Sequence, residues 1–135
     1  MLTDLGESID YAKKIQQAIL PTSALLQQHF ADFFIVYQPK ESVGGDFYWV
    51  GNCGNKIGFA AADCTGHGVP GGFMSMLGIS MINDMITRES VHTPASILSS
   101  LRENIINALG QKGREEDSYD GMDIALCTYD KNTQI

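Results

Sequence analysis

Apolar residues recur along the first twenty positions at alternating spacings of three and four: Leu2, Leu5, Ile9, Ala12 and Ile19, with polar Gln16 filling one seam position. That period predicts a helix over 1–20, stopped by Pro21. The spacing suits the end of a coiled coil and equally an amphipathic helix packed on its own domain. From Phe33 to Gln38 the pattern changes to FFIVYQ, a β-branched and aromatic run ended by Pro39, which predicts a strand. Asp46–Gly51 and Lys56–Asp63 read as two more strands, and Asn52-Cys53-Gly54-Asn55 between them as the turn of a hairpin.

The second half of the chain returns to helical spacing. Thr65–Gly68 forms a glycine-rich loop, Pro70 suits a first helical turn, and Gly71 to about Glu89 is apolar nearly all round, with Phe73, Met74, Met76, Leu77, Ile79, Met81, Ile82, Met85 and Ile86. Such a helix is expected to be buried on most sides. Thr93-Pro94 opens another, carrying Ile97, Leu98, Leu101, Ile105, Ala108 and Leu109 on one face and closed by Gly110 or Gly113. Glu115, Glu116 and Asp117 read as a solvated loop. Met122–Tyr129 alternates Met122, Ile124, Leu126 and Thr128 against Asp123, Ala125, Cys127 and Tyr129, which predicts a strand. A turn follows at Asp130–Thr133, and the chain stops at Ile135 before a return strand, so the domain is expected to be C-terminally truncated.

Composition narrows the classes. The 135 residues, 44% of them hydrophobic, are enough for one domain with its own core. Sixteen acids against nine Lys and Arg give a net charge of -7, which argues against a nucleic-acid partner and leaves room for a cation site. Cys53, Cys64 and Cys127 form no CxxC pair, so they are read as reduced thiols rather than a disulfide framework or a zinc site. The N-terminus carries no signal-peptide pattern, and the run Phe73 to Ile82 is about half of a membrane span. A cytoplasmic protein without direct membrane contact is expected.

The hairpin carries the sharpest chemical argument. With its turn centred on Cys53-Gly54, Asp46 lies diagonal to Asp63; centred on Gly54-Asn55, it faces Asp63 directly. Both registers put the two carboxylates on one face and at one end, within reach of the same hydrated cations. Oxygen ligands without a Cys or His pair favour Mg²⁺ or Mn²⁺. The plainer alternative has Asp46 capping a turn and Asp63 opening a loop. Ten of the 14 glycines fall between Gly44 and Gly78, where the backbone turns tightly or comes close to another group. Asp63-Cys64-Thr65-Gly66-His67-Gly68 before a helix also fits a phosphate cradle, with His67 a candidate general acid, although it lacks the P-loop ending. His29 and His92 suggest no role.

Three ordered segments resemble the motifs of one family: Val43-Gly44-Gly45-Asp46-Phe47-Tyr48-Trp49, then Ala62-Asp63-Cys64-Thr65-Gly66-His67-Gly68-Val69-Pro70-Gly71, then Gly121-Met122-Asp123-Ile124-Ala125-Leu126. They look like those of the SpoIIE-like branch of the metal-dependent protein phosphatases, the PPM or type 2C superfamily. Ile15 to Pro21 resembles the helix that leads into such domains from an upstream sensory module. The resemblance implies an α+β fold, an αββα sandwich of two mostly antiparallel sheets flanked by helices. Residues 1–20 would be a linker or switch helix, and 21–135 a phosphatase domain incomplete at its C-terminus.

The resemblance also implies a two-metal site holding Mn²⁺ or Mg²⁺. Asp46 would bridge both ions, while Asp63 and the main-chain carbonyl of Cys64 would bind one, and a metal-bridging water would attack phosphoserine or phosphothreonine. Gly66, His67, Gly68 and Lys40 are candidate substrate or phosphate contacts, and Asp123 a candidate additional acid. The implied substrate is a phosphorylated regulatory protein of the anti-anti-sigma kind, and the implied assembly a homodimer through the N-terminal helix. The family's final metal aspartate falls beyond Ile135, so weak metal binding and slow turnover are expected of this chain. Two rivals remain: a nucleotide cyclase, since Gly44-Gly45-Asp46-Phe47 is similar to a GGDEF signature without its glutamate, and a non-catalytic dimerisation or interaction module on a cut-down phosphatase fold.

Overall fold

The computed structural model describes residues 2–88 and 93–135, so His92 and the predicted helix end at Glu89 lie outside the described residues. In chain order the elements are α1 (Leu2–Ile19), α2 (Ser23–His29), β1 (Asp46–Cys53), β2 (Lys56–Cys64), α3 (Gly68–Arg88), α4 (Pro94–Ala108) and β3 (Met122–Tyr129). The strands form one antiparallel sheet in the order β1-β2-β3. The architecture is mixed α+β. Among the described residues there is one sheet of the two that the resemblance implied.

Strand alternation divides the sheet into two unlike faces. Phe47, Trp49, Ala60, Ala62 and Leu126 point to one side and join Met74, Ile79, Ile82 and Met85 of α3 and Ile97, Leu101 and Ile105 of α4 in the main core. On the other side Val50 and Ile57 bury against Leu26 of α2, with Phe30 and Phe33 packed beside them. That cover reaches only the hairpin end. At the opposite end of the same face stand Asp46, Asp63 and Asp123, all exposed.

The hairpin turn is the two-residue Gly54-Asn55, because Cys53 pairs with Lys56. Gly54 takes φ +65° at the first turn position, the left-handed region that a side chain resists. Of the two registers open to the sequence, this one puts Asp46 directly opposite Asp63. The strands extend slightly further than predicted, to Cys53 and to Cys64. β3 spans the residues expected of it.

Several expectations are corrected. Phe33–Gln38 is extended but belongs to no strand. It crosses over the open face of the sheet instead of lying along an edge, so its backbone has no ladder to join, and Phe34 and Val36 remain 88% and 75% exposed. Phe73 in α3 is 70% exposed. The buried face of α3 is built partly of Gly71, Gly72, Ser75 and Gly78, small residues that let the helix approach the sheet, so a count of large apolar residues picks the wrong face. In α1 the buried positions are Gln16 and Leu20, whereas Leu5 and Ile19 of the predicted seam are exposed. Asp117 is not solvated: its carboxylate accepts from the backbone N–H groups of Lys112 and Arg114 and from the Arg114 guanidinium, which holds it below the usual carboxylate range.

α2 was not anticipated. Thr22 caps it by accepting from the Leu25 N–H, a signal legible beside the good helix formers Ala24 to Gln28.

Candidate metal centre

Register assembles the site. Asp63 of β2 pairs with Asp46 of β1 on one side and with Asp123 of β3 on the other, so three carboxylates stand in one row across the sheet. Directly opposite residues have Cβ atoms roughly 4.5–5.5 Å apart, so each neighbouring pair can share a cation. Among the described residues no three His, Cys, Asp or Glu side chains converge on one point that could hold a metal ion. The arrangement is a line of acids, with Asp63 at its centre.

The electrostatics of the first pair are those of two acids forced together. Burial raises the Asp46 carboxyl above its ordinary range, and the hydrogen bond with Asp63 and the Asp63 charge raise it further. Cys64, buried beneath, has its thiol pushed up to about 12 by burial and then by the charges of Asp63 and Asp46. It is therefore a neutral thiol on the core side of the sheet and no thiolate ligand. A divalent cation is what such a carboxylate pair lacks, since it lets both groups ionise. The donor set thus fits Mg²⁺ or Mn²⁺, which take oxygen ligands.

The backbone around the row is tied at each end. The Tyr37 hydroxyl donates to the Asp46 carbonyl oxygen at 2.9 Å, and the Tyr37 and Tyr48 rings meet edge to face with centroids 5.7 Å apart. Both tyrosines line the cleft of about 760 Å³ that contains the three aspartates. Thr65 fixes the far side: its N–H and hydroxyl both donate to the Gly121 carbonyl, at 2.8 and 3.1 Å, and its hydroxyl accepts from the Gly121 N–H at 2.9 Å. That clamp sets the start of β3, and with it Asp123, against the loop that leaves Asp63.

The glycines hold the two metal-site loops together. A Cβ on Gly45 would lie 2.9 Å from the Cys64 carbonyl oxygen and 3.0 Å from that of Gly66. One on Gly71 would lie 2.8 Å from the Gly45 nitrogen and 2.9 Å from the Gly66 oxygen. Both clashes are with backbone, which cannot swing aside. Gly71→Ala is therefore expected to push the start of α3 away from the Asp46 loop, at a cost of about 1–3 kcal/mol. Urea denaturation, run beside Ala61→Gly as an exposed-strand control, measures it; an unchanged midpoint would mean that the loops have slack.

The remaining predicted contacts are not gathered at the row. His67 Nδ1 lies 2.9 Å from Glu41 Oε1, both side chains being largely exposed, at the start of α3. His67, Gly66, Gly68 and Lys40 line neither the cleft of the three aspartates nor the smaller one below Asp63, formed by Thr65, Tyr119 and Gly121. Sequence reasoning missed Tyr37, Thr65 as a clamp, and Gln16. Gln16 was visible as a polar residue on an apolar seam. Tyr37 and Thr65 act through backbone partners that leave no trace in sequence.

No family model matches the chain, and no curated protein does. Among solved structures it is similar to the SiaA-PP2C domain of Pseudomonas aeruginosa, with 33% sequence identity and a TM-score of 0.77. The match covers 96% of this chain and 50% of that one, so the chain spans half the length of the solved domain. Its fold is of the PP2C phosphatase type.

Proposed function

We propose that the chain is the metal-binding part of a Mg²⁺- or Mn²⁺-dependent serine/threonine protein phosphatase of the SpoIIE-like branch of the PPM superfamily. The observation that carries this reading is the row Asp46, Asp63 and Asp123 at one end of an open sheet face in a PP2C-type fold. The motif resemblance and the solved neighbour support it independently of each other's residue assignments.

In this reading Asp46 and Asp63 hold the cations, Asp123 adds a third carboxylate, and the main-chain carbonyl of Cys64 is a further oxygen donor. Bound divalent cations supply the charge neutralisation that lets water attack a phosphate monoester at neutral pH. The chain's own residues keep the acids in register: Tyr37 through the Asp46 carbonyl, Thr65 through Gly121, and Gly45 and Gly71 by close approach. No proton transfer is assigned to His67, which pairs with Glu41. The cyclase alternative has little support, because Gly44-Gly45 leads into β1 and Asp46 is a strand residue.

The proposed substrate is a phosphorylated regulatory protein of the anti-anti-sigma kind, in a cytoplasmic pathway with an upstream sensory module. Among the described residues no helix is long and apolar enough to cross a membrane. Leu5, Tyr11, Ile15 and Ile19 are exposed on α1, which favours pairing of that helix with a second copy. The interaction-module alternative rests on the same four residues.

The deciding experiment measures Mn²⁺-dependent phosphate release from a phosphoserine peptide, by this chain and by a form extended to the length of the solved neighbour. Activity is expected in the extended form, and slow or absent turnover in the 135-residue chain, whose carboxylates lie in a line. An inactive extended form would overturn the phosphatase reading and leave the interaction module.

A further inference from the structure

A second cleft, of about 650 Å³, opens between α4 and the start of β3. Its floor is apolar, from Leu101, Ile105 and Met122, and its rim carries Arg102 and Tyr119. Three features make it more than a surface dent. It is continuous with the metal centre, because Tyr119, Gly121, Met122 and Asp123 line both this cleft and the smaller one below Asp63. Its lip is built: Gln111 Nε2 donates to the Asp120 carbonyl at 2.7 Å, and the Ser118 hydroxyl donates to the Asp120 carboxylate while accepting from the Asp120 N–H. Between those two pinned residues Tyr119 stands 81% exposed, an aromatic ring offered to solvent from a fixed backbone.

Charge identifies the occupant. The protein carries seven surplus negative charges, and the arginines Arg88 and Arg114 are both spent on ion pairs with their own neighbours, Asp84 and Asp117. Arg102 has no ion-pair partner among the described residues, and Asp120, the nearest acid on the lip, is already engaged by Ser118. Met122 and Ile124 face the helices while Asp123 faces the open side, so Arg102 and the carboxylate row lie round the edge of β3 from one another. Arg102 is thus placed for a group some residues away from the reacting phosphate rather than for that phosphate.

We propose that this cleft is the docking subsite for the segment flanking the phosphorylated residue of the protein substrate, with an apolar side chain in the floor, Tyr119 against it, and a substrate carboxylate on Arg102. The proposal rests on the phosphatase reading. An arginine fork on a carboxylate and an exposed aromatic on a fixed backbone are both frequent anchors of protein interfaces.

The test separates docking from catalysis. Fluorescence anisotropy measures binding of a phosphoserine peptide with acidic and leucine residues on one flank to the chain without metal. In parallel, the extended form is assayed with Mn²⁺ on that peptide, on the same peptide with glycine flanks, and on p-nitrophenyl phosphate. Arg102→Gln and Tyr119→Ala are each expected to weaken peptide binding about tenfold and to raise KM for the flanked peptide. kcat, and turnover of p-nitrophenyl phosphate, should stay unchanged. Equal affinity in wild type and variants, or indifference to the flank, overturns the docking proposal, and so does a parallel loss on p-nitrophenyl phosphate. Absence of all hydrolysis in the extended wild type overturns the phosphatase reading alone, because the binding arm still reports on the cleft.

Discussion

Asp46→Asn is expected to abolish Mn²⁺-dependent phosphate release in the extended form, by at least about 100-fold, and to raise the thermal stability of the metal-free chain. The two effects share one cause. In the metal-free protein Asp46 is raised by burial, by its hydrogen bond with Asp63 and by the Asp63 charge. A carboxyl whose folded pKa lies above its unfolded one binds its proton more tightly in the folded state. Stability is then greatest at acid pH and declines as pH rises from the ordinary carboxylate range through the raised value. At neutral pH the pair is a like-charge cross-strand contact, which costs roughly 0.2–1 kcal/mol. Asparagine keeps the shape and removes the charge, so the metal-free variant should melt roughly 1–4 °C higher at pH 7 and match wild type in acid.

Mn²⁺ should stabilise wild type against heat and leave Asp46→Asn unmoved, because a ligand shifts stability only through a site it binds. Asp63→Asn should behave alike, since Asp63 holds the middle of the row. Asp123→Asn, at the end of the row, should weaken the Mn²⁺ effect less than either. A Mn²⁺ shift that survives in Asp46→Asn would place the ion elsewhere.

What the sequence made legible follows from which constraints are periodic. Strand alternation has a period of two, so an even-length connection was enough to put Asp46 and Asp63 on one face, and the turn centre settled only whether they are opposite or diagonal. The same alternation placed Asp123 on the exposed side of β3, but its register against Asp63 depends on how β2 and β3 align, which no local pattern encodes. FFIVYQ shows the limit from the other side. Its residues favour a strand, yet strand formation needs a neighbour to pair with, and this segment lies over a face. The helices show a third case: Phe73 misled because hydrophobicity was taken for burial, whereas glycine and serine let α3 sit close to Phe47 and Val43.

Gln16→Leu is expected to destabilise the chain by roughly 2–4 kcal/mol, although it makes the α1 seam fully apolar as a sequence pattern would prefer. Gln16 is 3% exposed. Its Nε2 donates to the Gly44 carbonyl at 2.6 Å and to the Ser75 hydroxyl at 2.9 Å, and its Oε1 accepts from the Gly44 N–H at 3.2 Å. One side chain thus satisfies both backbone groups of the residue two before Asp46 and ties them to the buried face of α3. Leucine matches the volume and leaves three buried polar groups without that partner; only Ser75 retains another, through its own donation to the Gly72 carbonyl. Gly44 then has either to stay unsatisfied or to turn towards water, and Gly45 and Asp46 move with it. Gln16→Glu separates the two contributions: it keeps an acceptor for the Gly44 N–H but loses the donor to the Gly44 carbonyl, so it should fall as far as leucine or further. Chemical denaturation gives the stability of each variant, and amide exchange at Gly44 to Phe47 shows where it is lost. Wild-type protection there in Gln16→Leu would mean that the loop holds Asp46 in place without α1.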